Sequence, residues 1–210
     1  IYKAHSNRRV DRMDKKFVFI TGPSESGKSG AAEYMEKSFN DIRHLKMRDV
    51  IRIANSKVDD NTEQFWREYI DTAEQMSEGK SIIIMDTLRK PESALILSEL
   101  LNEKMRILYI EASLKNRVIR EYIKLKKEGK GLSVEDVMRR TQDKDFEKEK
   151  CGLKGIRNLI KGQDGKLKLE GTGESFAHII NNDGTIDELH EKLNQFVLEL
   201  QKENKKEIER

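Results

Sequence analysis

The chain has one cysteine, Cys151, among 210 residues, which excludes a disulfide scaffold and a Cys-rich zinc site. Proline occurs twice, as Pro23 and Pro91, too rarely for a polyproline or disordered chain. The four histidines are scattered and form no His-rich metal cluster. No run approaches the roughly 18 apolar residues of a membrane span, so a transmembrane helix and a membrane partner are not expected. Neither charge dominates: 41 Lys and Arg stand against 38 Asp and Glu, a net +3. That balance, with 6% aromatic residues, argues against nucleic acid as a partner, because a strand-binding groove needs cations and stacking rings.

What remains is a chain long enough to bury one sizeable core, with 36% hydrophobic and 38% charged residues and hence a heavily solvated surface. Residues 1–15 form a basic leader or linker (Lys3, Arg8, Arg9 and Arg12 among them) with no apolar core of the signal-peptide kind, so the expected compartment is the cytoplasm. The chain begins at Ile1 without Met, and a further domain N-terminal to residue 1 is one expectation. Residues 201–210 read as a charged tail ending a solvated helix.

Between these ends, 16–200, strand-like and helix-like segments alternate, which predicts an α/β fold of three layers around a parallel sheet. Phe17 to Ile20, Ser81 to Met85, Arg106 to Ile110 and His178 to Asn181 read as buried strands. Helices are expected over Ser29–Phe39, Asn61–Met76 with Asn61 as N-cap, Ser93–Leu101 and Lys115–Lys127. Another begins at Ser133, with Asp136 as capping-box partner, and the last runs from about Ile186. A lid is expected over about 126–150. The glycine-rich stretch 152–175 reads as a surface insertion or flap, with Asp164-Gly165 turning a small hairpin.

One motif carries the chemistry. Gly22-Pro23-Ser24-Glu25-Ser26-Gly27-Lys28-Ser29 matches G-x-x-x-x-G-K-[ST], and it stands between a strand and a helix. The two glycines permit turns that a Cβ obstructs, the exposed N–H groups then converge on phosphate oxygens, and the helix dipole adds to them. In such a loop Lys28 reaches the β- and γ-phosphates and the Ser29 hydroxyl ligates Mg²⁺, so the cofactors expected are ATP and Mg²⁺. Asp86 ends a predicted strand and is placed to hold the ion, while Arg89 on the same rim can clamp a phosphate. In Met47 to Arg52, Arg52 is a candidate for an acceptor phosphate, and Asp49 either orients the acceptor or pairs with an arginine. Arg117, expected on the bound nucleotide, and Arg120 follow the third strand, and Arg139 and Arg140 lie in the lid as candidate catalytic arginines. Trp66 and Tyr69 share a helical face that suits either core packing or an acceptor cover. Cys151 has no base beside it in sequence and reads as incidental.

On Gly22–Ser29, Met47–Arg52, Met85-Asp86-Thr87-Leu88-Arg89-Lys90-Pro91 and the His178–Leu189 ending, the chain resembles nucleoside-monophosphate-kinase-like P-loop kinases. It is most similar to their dephospho-CoA-kinase-like and archaeal nucleotide-kinase-like members. The resemblance implies a P-loop NTPase fold with a helical lid and acceptor region, and γ-phosphoryl transfer from ATP to a small phosphate-bearing acceptor. It also implies Asn182 beside the donor adenine, Arg52 and Arg89 on the acceptor, Arg139 and Arg140 as lid arginines, and Thr87 where relatives carry glycine. Two further expectations compete: a nucleotide-sensing regulatory domain without turnover, and a polynucleotide 5′-hydroxyl kinase.

Overall fold

A computed structural model describes residues 15–54, 62–86, 88–163, 166–169 and 176–208. Residues 1–14 of the basic leader, Asn61, Thr87 and Asp164-Gly165 lie outside the described residues.

The four runs expected as strands, joined by Ile42–Leu45, form one parallel sheet. Its strands are β1 (Lys16–Thr21), β2 (Ile42–Leu45), β3 (Ile82–Asp86), β4 (Met105–Glu111) and β7 (Phe176–Asn181). Two further strands, β5 (Ile160–Gln163) and β6 (Lys166–Leu169), pair antiparallel, and β6 adds antiparallel to β7. The order is β2-β3-β1-β4-β7-β6-β5. β1 is central, with Phe17 beside Ile83 on one flank and Met105 on the other. The chain leaves β1 toward β2 and β3 on one side and later reaches β4 and β7 on the other. The carboxyl end of β1 is therefore a switch point, the place where open α/β sheets leave a crevice.

Side chains alternate across the pleat, so each strand feeds two cores. Phe17, Phe19, Ile83, Met85, Met105 and Ile107 face α3 (Glu63–Met76), α4 (Pro91–Leu101) and α7 (Leu153–Leu159), which contribute Phe65, Trp66, Tyr69, Leu97 and Ile156. Val18, Ile20, Ile84, Leu108 and Ile110 face α1 (Lys28–Ser38) and α8 (Ile186–Ile208) through Ala32, Met35, Leu193 and Val197. Helices on both sheet faces make the three layers. The fourteen-residue α5 (Leu114–Lys127) and seventeen-residue α6 (Val134–Lys150) pair apart from both cores around Val118, Leu125 and Val137. Of this pair, α6 falls within the stretch of about 126–150 expected as a lid, and α5 precedes it.

Several expectations shift. The N-cap of α3 is Thr62, whose hydroxyl accepts from the Phe65 amide at 3.2 Å. Ser133 caps α6, its hydroxyl accepting from the Asp136 amide at 3.1 Å and donating to the Asp136 carboxylate at 2.8 Å, in place of the reciprocal backbone bond of a full capping box. The stretch from 152 is no loose insertion where it is described. Leu153, Ile156 and Ile160 enter the core, and β5 and β6 widen the sheet. Glycine content hid this, because Gly152 (φ 99°) and Gly155 are needed for close approach to Pro91. The charged tail continues α8 to Ile208. Among the described residues, no helix is long and apolar enough to cross a membrane.

Candidate functional site

The Gly22–Ser29 segment is the β1–α1 loop at the carboxyl end of the central strand. Gly22 is buried at φ 137°, where a Cβ would run into the carbonyl oxygen of Ile110. Gly27, at φ 102°, caps α1, and a Cβ there would strike the Asn182 amide. Glu25 also adopts a positive φ of 58°. No side chain caps α1, and its first turn holds no acidic residue, so its positive end is left for an outside anion. The Thr21 hydroxyl donates to the Leu88 carbonyl at 2.5 Å and fixes the strand end to the β3–α4 connection.

Lys28 folds back over the loop, donating to the Pro23 carbonyl oxygen and, at 3.4 Å, to the Ser26 hydroxyl. Burial, reinforced by the neighbouring Lys148 ammonium, lowers its pKa to about 7. Asn182 follows β7. Its side-chain amide donates to the Ser26 carbonyl at 2.8 Å, and its own carbonyl accepts from Arg120 at 2.6 Å. Asn182 thus braces the loop from the far side, where sequence resemblance had set it near a base.

A cleft of about 1160 Å³ opens over the loop. Its far wall is α6, which presents Asp136, Arg139, Arg140, Asp143, Lys144, Glu147 and Lys148 in one stripe at helical spacing. Arg89, Arg120 and Lys124 complete the cations of the lining. Eight lining cations (Lys28, Arg89, Arg120, Lys124, Arg139, Arg140, Lys144 and Lys148) face four carboxylates (Glu25, Asp136, Asp143 and Glu147), so the cleft is built for an anion.

Three contacts tie α6 to the loop. Lys144 bonds Glu25 at 3.1 Å and Glu121 at 2.7 Å. Asp145 accepts from the Ser24 amide at 3.2 Å and from Arg117 at 2.6 Å. Lys148 donates to the Gly22 carbonyl at 3.4 Å. Arg117 is buried and also donates to the Ser24 and Ala112 carbonyls, so it shapes the loop from beneath and is absent from the cleft lining. Glu121 has 1% of its side chain exposed and takes Arg140 at 3.2 Å beside Lys144. Burial alone would raise its pKa, but the Lys144 bond and nearby cations outweigh that and hold it below the ordinary value.

A second cleft, about 710 Å³, lies on the β2–β3 side and is lined by Ser29, Lys46, Met47, Arg48, Ile51, Trp66, Asp86, Leu88, Arg89 and Lys90. Asp86 ends β3 and accepts from the Met47 amide at 3.2 Å, with His44 Nε2 at 4.0 Å from its other oxygen. Trp66 serves the core and one edge of this cleft, whereas Tyr69 is core alone. Asp49 and Arg52 do not line it. They pair with each other at 3.6 Å, and Arg52 is largely exposed. The reason is helical phase on α2 (Met47–Ala54): Met47, Arg48 and Ile51 share the cleft face, and positions 49 and 52 turn about 100° away. Arg48 is therefore the cation that α2 brings to the cleft.

Ser29, Arg89 and Cys151 line both clefts, so the two meet at the loop's outer rim. Ser29 and Asp86 face one space with oxygen ligands, a donor set that suits Mg²⁺ completed by waters and phosphate oxygens. Among the described residues no cluster of three or more His, Cys, Asp or Glu could hold a metal by itself. Lys144, Asp145, Lys148, Glu121 and Arg48 line the clefts or contact the loop and its partners, and sequence reasoning passed over them. The spacing 140, 144, 148 on α6 was the available signal for two of them.

No family model matches the chain, and no curated protein matches it. A crystal structure of an uncharacterized protein from Eubacterium ventriosum is similar, with a TM-score of 0.53 over 87% of this chain and 98% of that one. At 11% identity this likeness shows the fold alone.

Proposed function

We propose that this chain is an ATP-dependent P-loop phosphotransferase of the nucleoside-monophosphate-kinase-like kind, moving a γ-phosphoryl group to a nucleotide or nucleotide-like small molecule. The observation that carries this reading is the junction of two cation-lined clefts at Ser29 and Arg89, on the rim of a loop with the G-x-x-x-x-G-K-[ST] pattern. A transfer enzyme needs two anion sites that share the travelling group, and a simple nucleotide binder needs one.

In this reading the loop amides and Lys28 hold the donor phosphates, and α5 and α6 cover the donor with Arg120, Arg139 and Arg140. Arg48, Lys46 and Lys90 hold the acceptor phosphate over the Met47, Ile51 and Trp66 floor. Arg89 touches both substrates at the junction. The bond from the γ-phosphorus to the β–γ bridging oxygen breaks as one forms to an acceptor oxygen, and ADP leaves. The chain contributes position and positive charge, with no covalent intermediate. Ser29 and Asp86 would hold Mg²⁺, which when bound neutralises phosphate oxygens. Asp49 and Arg52, paired outside the cleft, carry no role.

The test is acceptor-dependent ADP formation with ATP, Mg²⁺ and a panel of nucleoside monophosphates and dephospho-CoA. Lys28→Ala is expected to abolish it, and Arg48→Ala to raise the acceptor KM by about tenfold, the loss of one charge-assisted contact. Arg52→Ala is expected to change little. Bound ATP with no acceptor-dependent ADP would count against transfer.

The contacts of Lys144, Asp145 and Lys148 with the loop favour a second reading, in which α6 senses nucleotide for a partner without turnover. Nucleotide-dependent protection of α6 from hydrogen exchange, in the absence of any turnover, would select it.

A further inference from the structure

Lys148 sits two and a half turns along α6 from Arg139 and lies over the loop itself. The nine helical steps between them span about 13.5 Å of helix. The helical rise thus separates the two arginines expected on the phosphates from the position of Lys148. Arg140 is committed to Glu121 at 3.2 Å, and Arg139 stays exposed on the outer wall. Lys148 instead has its ammonium 3.4 Å from the Gly22 carbonyl, a long contact, and faces Lys28 and Arg89. Asp145 and Glu25 are the carboxylates near it. Asp145 is already engaged with Arg117 and the Ser24 amide, and Glu25 with Lys144. Burial and Arg89 hold the Lys148 pKa below its ordinary value.

Lys28, Arg89 and Lys148 thus converge at the loop mouth, and among the described residues none of the three has a carboxylate of its own. Like charges gathered there repel until an anion arrives. In the G-x-x-x-x-G-K-[ST] pattern the Lys28 position reaches the β- and γ-phosphates. Arg89 marks the junction with the second cleft. A group lying among Lys28, Arg89 and Lys148 is therefore the outermost phosphate, the one nearest the second cleft. A lysine suits this place, because its rotatable point charge can leave a carbonyl for a phosphate oxygen without a fixed fork geometry.

Given the ATP reading above, on which this rests, we infer that Lys148 is the residue by which the site tells a nucleoside triphosphate from a diphosphate, through direct contact with the terminal phosphate.

The experiment is calorimetric titration of the full chain with the Mg²⁺ complexes of ADP and of the β,γ-imido analogue of ATP, so no acceptor is needed. Wild type is expected to prefer the triphosphate analogue. Lys148→Ala is expected to weaken the analogue at least about tenfold and ADP less than about threefold, and Lys148→Arg to restore most of the preference. Lys148→Gln, which keeps the stem, decides the matter if the alanine variant fails to fold. Equal losses for both nucleotides, or none for either, would overturn the assignment while leaving ATP binding in place. A folded wild type that binds neither nucleotide would overturn the ATP reading and the assignment with it.

Discussion

The Asn182 side-chain amide donates to the Ser26 carbonyl at 2.8 Å, so the turn after β7 holds the loop after β1. Both residues are buried, and Gly27 lies so near that a Cβ on it would strike the same amide. The loop's shape is thus set by a residue more than 150 positions away in sequence.

Asn182→Ala removes the donor and leaves a buried carbonyl unpaired, which costs about 1–3 kcal/mol. Gly27→Ala adds a left-handed backbone penalty to a collision. Both variants are expected to melt below wild type, with Gly27→Ala also losing ATP affinity through a displaced loop. Urea unfolding and ATP titration of both proteins check this, and an undiminished Asn182→Ala midpoint would refute the brace.

Glu121 joins α5 to α6 by accepting from Lys144 and Arg140 while almost wholly buried. Its pKa is depressed, so its contribution is present above the ordinary carboxylate value near 4.3 and is lost as pH falls through the lower folded value. Glu121→Gln is expected to raise hydrogen exchange in α6 at pH 7, in proportion to about 1–3 kcal/mol of lost local stability. Wild type should approach the variant only in acid. Exchange in α6 that ignores the substitution would sink this.

The buried strands were legible as short apolar runs, but the single core expected from length divides in two, because the pleat sends Phe17 and Phe19 to one face and Val18 and Ile20 to the other. The loop was legible because it is local, with pattern, strand and helix contiguous. Arg52 was misplaced for want of helical phase, since nothing in Met47–Arg52 shows which face of α2 meets the sheet. Asp145 and Glu121 escaped notice for a different reason. Spacing assigns them faces of α6 and α5, but their partners, Ser24, Arg117 and Lys144, are chosen by how those helices cross. The β5–β6 hairpin was legible from Asp164-Gly165, whereas α7 was hidden by glycines that serve close packing on Pro91.

Lys28 pays a desolvation cost whose sign can be worked out. Its pKa is about 7 in the folded chain, whereas an unfolded lysine keeps its proton to about 10.4. Between those values the unfolded chain binds more protons, so this residue's destabilising effect is full below pH 7 and fades as pH rises toward 10. Lys28→Met without ligand is therefore expected to melt above wild type at pH 6.5, with the gap narrowing by pH 9.5. Melting curves across that range decide it, and an offset that stays constant with pH would contradict the assignment.

Asp145 places a carboxylate oxygen 3.2 Å from the Ser24 amide, one of the loop N–H groups that an incoming phosphate would use. Its other oxygen pairs with Arg117 at 2.6 Å, which orders the loop at the expense of a negative charge beside an anion site. Two unit charges about 4 Å apart in water interact by about 1 kcal/mol, a factor near five in affinity. Asp145→Asn keeps an acceptor for Arg117 and removes the charge. The variant should bind Mg–ATP about fivefold more tightly and, freed of an ion pair, melt slightly lower without nucleotide. Asp145→Ala also removes the acceptor, so buried Arg117 loses its partner and the loop its support, and ATP binding should fall. Opposite responses of the two variants separate the charge from the scaffold. If both weaken ATP alike, Asp145 is structural and does not compete with phosphate for the Ser24 amide.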